Sequence, residues 1–145
     1  MIGHPFEAFF QTKRYHYEWV RDGGVVREPV RLQRVRALIA QPTEGASLTA
    51  GEILVRGVAW SGAAPIERVD VSIGEGPWQP AQLIGERRRH SWQWWELFTN
   101  CEVHGQTTVR ARATDQAGNT QPEQPEWNRL GYGGNAIQTI SIVVK

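Results

Sequence analysis

From Val35 onward apolar and polar positions alternate with a period of two through much of the chain, the spacing of strands that keep one face in a core. Val69, Val71 and Ile73 alternate with Arg68, Asp70 and Ser72. Thr107, Val109, Ala111 and Ala113 alternate with Thr108, Arg110, Arg112 and Thr114. Within 52–60, Ile53, Val55, Gly57 and Ala59 share one face, and Leu54, Arg56, Val58 and Trp60 the other. The link Ser61-Gly-Ala-Ala-Pro65 has the residues of a tight reversal. Segments 52–60 and 66–73 are therefore expected to pair as a central ribbon, its apolar face covered by the rest of the chain. Segments 35–39, 81–83, 91–98 and 136–144 supply further strands, the last with Ile140, Ile142 and Val144 on one side. Gly- and Pro-bearing stretches separate them, the longest being the loop 121–126.

About seven strands at near-regular spacing, with no helical period, imply an all-β domain. The expected solution is an immunoglobulin-like β-sandwich of antiparallel strands without the usual disulfide; a barrel is the alternative closure. In the tryptophan-rich strand the period places Trp92, Trp94 and Phe98 on one face, read as core. Trp95 and Leu97 fall on the other, so Trp95 is read as exposed or at an interface. Residues 1–34 differ from the domain at 35–145. Phe6, Phe9, Phe10, Tyr15, Tyr17 and Trp19 crowd together with Lys13, Arg14 and Arg21 and show no sustained period. Asp22-Gly-Gly24 marks a turn, and Glu28-Pro29 breaks any helix. This stretch reads as an irregular N-terminal arm. It packs either on a partner, with Phe9, Phe10, Tyr15, Trp19 and Trp95 as the candidate interface, or back on its own domain.

Composition narrows the function classes. The formal net charge of +1 on 145 residues gives no steering toward nucleic acid or an anionic membrane. No apolar run approaches the ~20 residues that span a bilayer, and the N-terminus lacks the regions of a signal peptide. The compartment stays open. The single cysteine, Cys101, excludes an intrachain disulfide and a thiolate metal cage.

Chemistry-bearing patterns are weak. His4, His16, His90 and His104 are far apart and lack ligand spacing, so no metal site is expected. Cys101 and His104 share a turn, a pairing that arises readily by accident. Gly131-Tyr-Gly-Gly134 precedes a strand rather than a helix and lacks the dipole of a phosphate cradle. Arg87-Arg-Arg-His90 reads as a solvated loop or, more sharply, as an anion contact. No catalytic group stands out.

Taken together the segments resemble one known domain. The residues are Val58-Ala-Trp-Ser-Gly62, Ile66-Glu-Arg-Val-Asp-Val-Ser72, Trp78 with Ala81 and Leu83, Trp95-Glu96, Val109-Arg-Ala-Arg-Ala-Thr-Asp115, Gly118-Asn-Thr-Gln-Pro122, Trp127-Asn128, Gly131-Tyr132 and Asn135-Ala136. In this order and spacing they resemble the C-terminal dimerisation domain of the sulfite oxidase family of molybdenum-cofactor oxidoreductases. Phe9-Phe10-Gln11 and Glu28-Pro29-Val30 are similar to the segment by which that family's cofactor domain runs into this one. The resemblance implies a non-catalytic homodimerisation module. Molybdopterin and molybdenum would lie on a missing domain or a separate subunit, and Cys101 does not match the metal-ligand position. It also implies that the edge of an anion pocket falls at Arg129, Tyr132 and Asn135. The family's arginine before the glycine is Leu130 here, with Arg129 one residue earlier, and its histidine near Asn135 is replaced by Gln138, so sulfite as substrate is in doubt. The reading from another class is a free-standing immunoglobulin-like module that binds a small ligand, glycan or protein through Trp95, Tyr132 or the basic loop.

Overall fold

A computed structural model describes residues 8–145; Phe6 lies outside the described residues. Ten strands follow in order: β1 (His16–Arg21), β2 (Gly24–Pro29), β3 (Arg36–Gln41), β4 (Ala46–Leu48), β5 (Gly51–Trp60), β6 (Ile66–Ile73), β7 (Gln79–Ile84), β8 (Gln93–Cys101), β9 (Gly105–Asp115) and β10 (Gln138–Val144). The one helical element among the described residues is a π-turn at Phe10–Arg14. β1 and β2 form a separate antiparallel hairpin. The other eight strands are hydrogen-bonded in the order β3-β5-β8-β7-β6-β9-β10-β4. This is a two-layer sandwich. β7 joins its layers, pairing through Gln79, Pro80 and Ala81 with β6 and through Gln82, Leu83 and Ile84 with β8.

The core lies where the inward rows of the layers meet. Ala37, Val55 and Ala59 come from one layer and Val69, Val71, Val109, Ala111, Ala113 and Ile142 from the other, all fully buried. The alternating patterns of β5, β6, β9 and β10 therefore point as expected. The central ribbon does not form. β5 pairs with β3 and β8, and β6 with β7 and β9, so the link 61–65 crosses between layers. Two apolar faces that must cover each other need opposite layers, whereas a hairpin would place them side by side. The crossing corner is fastened by Ser61, whose Oγ donates to Asp115 Oδ2 at 2.7 Å and accepts from the Ala63 N–H at 3.1 Å. One pair is parallel, since the short β4 runs alongside β10.

The tryptophan strand is the reverse of its sequence reading. Trp95 is 1 % exposed and belongs to the core, while Trp92, Trp94 and Phe98 are 66 %, 53 % and 58 % exposed. The reason is opposite Trp95 in the ladder: its Cα partner is Gly57. A Cβ on Gly57 would lie 2.7 Å from Trp95 Cζ2 and 1.9 Å from the Leu38 carbonyl oxygen, so only glycine leaves room for the indole. The arm also differs from expectation, since 16–29 is an ordered hairpin. Its turn places Asp22 and Gly23 at φ of 49° and 76°, a left-handed pair that suits a two-residue reversal. The period was hidden because Tyr17, Glu18 and Trp19 are buried in succession, so polar and apolar residues do not sort by face.

Candidate functional site

The arm hairpin docks on the loop 126–135 and on the segment leading into β3. Tyr17 and Trp19 stack with ring centroids 5.1 Å apart, and the Arg34 guanidinium lies over both at 5.0 and 4.9 Å. Gly133 completes the seat: at φ 69° it allows Tyr17 to approach so closely that a Cβ would stand 2.6 Å from the phenol oxygen. Trp19 Nε1 donates to Glu28 Oε2 at 3.1 Å, and Arg21 Nη2 to Glu126 Oε1 at 3.1 Å. Trp19 is thus buried within its own chain, as Trp95 is, and neither indole offers surface to another molecule. For residues 16–29 the fold-back onto the domain is what occurs.

Glu18 is the electrostatic centre of this junction. Arg129 Nε donates to Glu18 Oε2, Arg27 Nε donates to Oε1 at 3.0 Å, and His16 Nε2 lies 3.2 Å from Oε1. The Arg129 N–H also donates to the Glu18 carbonyl at 3.2 Å. The hydrogen bond from Arg129 outweighs burial and, with His16 and Arg27, lowers the Glu18 carboxyl to about 2. The same contact raises the Arg129 guanidinium above its ordinary value.

The three residues of the expected anion edge share one loop but face different ways. Arg129 is spent on Glu18. Tyr132 packs edge-on against Tyr15 at 5.7 Å, and its carbonyl accepts from Asn128 Nδ2 at 2.7 Å. Asn135 is buried, donates from Nδ2 to the Val35 carbonyl at 3.2 Å, and leaves Oδ1 without a partner. Asn135 alone of the three lines a cleft of about 510 Å³ shared with Arg34, Ser61, Asn119, Gln124 and Glu126. Sequence reasoning missed Glu18, Arg34 and Gln121. Glu18 and Arg34 sit in the arm, where no period marked them as inward, and Gln121 sits in a loop.

Beyond the cleft Phe9, Phe10 and Tyr15 are exposed. They continue Tyr132 as a string of rings, with centroid spacings of 5.6, 6.1 and 5.7 Å from Phe9 to Tyr132. The basic loop is solvated: Arg88 pairs with Glu86 at 2.6 Å, and Arg89 donates to the Ala63 carbonyl at 3.4 Å. Among the described residues no three His, Cys, Asp or Glu side chains group to hold a metal, and no helix is long and apolar enough to cross a membrane.

Residues 28–145 match the family described as the Mo-co oxidoreductase dimerisation domain. The chain belongs to that family. This dimerisation domain is 34 % identical over 119 residues to the mitochondrial sulfite oxidase of Rattus norvegicus, an alignment covering 76 % of this chain and 22 % of the relative. It is 36 % identical over 105 residues to the sulfite oxidase of Gallus gallus, covering 67 % and 23 %. The chain thus spans under a quarter of the length of these relatives. The sulfane dehydrogenase SoxCD of Paracoccus pantotrophus has the same fold, with a TM-score of 0.74 at 24 % identity over 91 % of this chain and 35 % of that one. The group such relatives imply, molybdopterin with molybdenum, finds no fit in the described dimerisation domain. Its only thiol, Cys101, is buried in the sandwich core where it cannot reach a metal held at the surface.

Proposed function

We propose that this chain is a non-catalytic assembly module of a sulfite-oxidase-like molybdenum oxidoreductase. It pairs two copies of itself and docks on a molybdopterin-bearing domain, whether that domain lies elsewhere in a longer chain or on a separate subunit. One observation carries the reading. Where the arm meets the sandwich, charged groups are consumed in structural contacts, while an apolar string from Phe9 to Tyr132 is left uncovered. Such a surface binds and does not react: aromatic side chains supply large contact area at small entropic cost. The loop edge at Arg129 and Tyr132 would then face the cofactor domain, with Asn135 buried behind it. Arg129, held by Glu18, would present only its outer nitrogens there, which supports a substrate pocket unlike that of sulfite-oxidising relatives.

The test mixes the purified chain with the molybdopterin-binding domain from the same source. The expected outcome is a stable complex, weakened at least tenfold by the double substitution Phe10→Ser, Tyr15→Ser, and no sulfite-dependent electron transfer by the chain alone. Turnover by the isolated chain would overturn the reading. A second reading rests on the cleft, where the unpaired Oδ1 of Asn135 and the Arg34 guanidinium would suit a small ligand carrying both a donor and an anionic group. Saturable binding of such a ligand, abolished by Asn135→Leu in the absence of any cofactor domain, would favour it.

A further inference from the structure

The crossing corner 61–65 and the end of the basic loop before β8 enclose a second pocket, next to the cleft that holds Asn135. The register that pairs Val58 with Trp94 and Ala59 with Gln93 continues to set Trp60 beside Trp92, their ring centroids 6.2 Å apart and tilted by 34°. A spacing within the roughly 4.5–7 Å of direct ring contact leaves no room for a ring between them, so the two indoles form one apolar wall. The buried Gln93 fixes the strand at this point, its Nε2 donating to the Ile84 carbonyl at 2.7 Å and to the Trp94 carbonyl at 3.2 Å. Segment 31–33 supplies another wall. The Gly62 N–H donates to the Gln33 carbonyl at 2.8 Å, and a Cβ on Gly62 would stand 2.8 Å from the Gln33 nitrogen, so only glycine lets the two backbones come this close. At the rim, His90 takes a φ of 58°, a left-handed backbone uncommon outside glycine and found where a site demands it. The result is a pocket of about 280 Å³ whose lining includes Arg31, Gln33, Trp60, Ser61, His90 and Trp92.

We infer that this pocket binds a small organic acid, with one flat ring laid on the indoles and its carboxylate or sulfonate held by Arg31 and His90. The inference goes beyond the assembly role and does not depend on it. No Asp or Glu lines the pocket, and no ion pair among the described residues involves Arg31 or His90. The cationic character of the site is therefore unanswered within the described chain. A guanidinium takes a carboxylate bidentately, and an imidazole N–H adds a further donor. Trp92, at 66 % exposure, leaves much of its indole in water beside these groups, and a ring face that covers it removes that apolar surface from water. The volume lies at the small end of the roughly 300–1,000 Å³ of ligand sites, which suits one ring and not a chain of them. Aryl acids and uronic acids share this chemistry, since both join an anion to a ring with an apolar face.

The test is isothermal titration of the full chain with benzoate and with D-glucuronate, each against its uncharged counterpart, benzyl alcohol or D-glucose. Saturable binding is expected for at least one acid, with the counterpart at least tenfold weaker. Benzoate alone would assign the pocket to aryl acids, glucuronate alone to acidic sugars, and both to any such ring that carries the anion. Arg31→Gln and Trp92→Ser should each weaken the acid at least tenfold. Both side chains are exposed, so the thermal melt should not move. Trp94→Ser, which removes another indole more than half exposed but outside the pocket, should leave binding unchanged. The site is overturned if neither acid saturates by ~10 mM. It is equally overturned if binding survives Arg31→Gln and Trp92→Ser, or if Trp94→Ser weakens it as much as they do.

Discussion

Gly57 and Trp95 form a single packing unit in which the absence of one side chain makes room for the other. A methyl at position 57 meets the Leu38 backbone at 1.9 Å, which no rotamer change relieves. Gly57→Ala should therefore cost at least about 2–3 kcal/mol in denaturant unfolding, the range of a strained, overpacked core. Trp95→Phe should behave oppositely. The indole Nε1 is buried with no hydrogen-bond partner, so phenylalanine removes an unsatisfied donor while losing some contact area. A change within about 1 kcal/mol is expected, and a large loss would mean that the indole N–H is satisfied after all. At the junction, Glu18 is held at about 2 against an ordinary 4.5, first by Arg129. A carboxyl depressed on folding contributes stability above its unfolded value, lost as pH falls through the folded one. Arm docking, followed by the fluorescence of buried Trp19, should weaken between pH 4.5 and 2. In Glu18→Gln the docked arm should be weaker at neutral pH and lack that acid-linked step.

At the scale of elements, the strands were legible because their periods were clean. β6, β9 and β10 face the core with the residues their alternation assigns. Which strands pair was not legible, because a period of two names two faces without saying what lies across the ladder. That is why β5 and β6 read as a ribbon, and why the faces of β8 were inverted: three large aromatics outweigh one in any count, but only Trp95 has a glycine opposite it. The arm was opaque because its buried glutamate is satisfied by Arg27 across the hairpin and by Arg129, which lies 111 residues away in sequence. Gln121 was hidden for a similar reason. Its Oε1 accepts from the N–H groups of Ala37 at 2.8 Å and Ala113 at 3.3 Å, and its Nε2 donates to the Ala136 carbonyl at 2.8 Å. Gln138 likewise accepts from the Ile39 N–H at 2.7 Å. Two glutamines thereby occupy N–H groups on the free edge of β3, joining it to β9 and β10 and blocking the addition of another strand. Gln121→Ala leaves the Ala37 N–H and the Ala136 carbonyl unpaired, a loss of about 2–4 kcal/mol in equilibrium unfolding. Hydrogen exchange should show the damage first at Ala37. Uniform protection across β3 in that variant would refute the stitching role.

For the whole molecule, docking on the molybdopterin-binding domain should depend on one end of the sandwich and not on the other. The aromatic string lies where the arm meets the loop 128–135, and Arg36 Nη1, donating to the Gly134 carbonyl at 3.3 Å, ties that loop to the beginning of β3. Across the ladder Arg36 is opposite Trp60, at the same end of β5, whereas Phe98 is opposite Leu54. From Trp60 to Leu54 is six residues of extended chain, about 20 Å at ~3.3 Å per residue. Substitutions that far apart, with no shared contacts, add in free energy. Phe98→Lys should therefore leave the affinity of the chain for the molybdopterin-binding domain within twofold of wild type. The double variant Phe10→Ser, Tyr15→Ser should weaken it at least tenfold. Titration of the cofactor domain into each variant checks both. If Phe98→Lys also weakened cofactor-domain binding tenfold, the sandwich would be transmitting the change to the docking end along β5. The rigid, tightly packed core that holds Trp95 against Gly57 would then be the element through which the two ends are coupled.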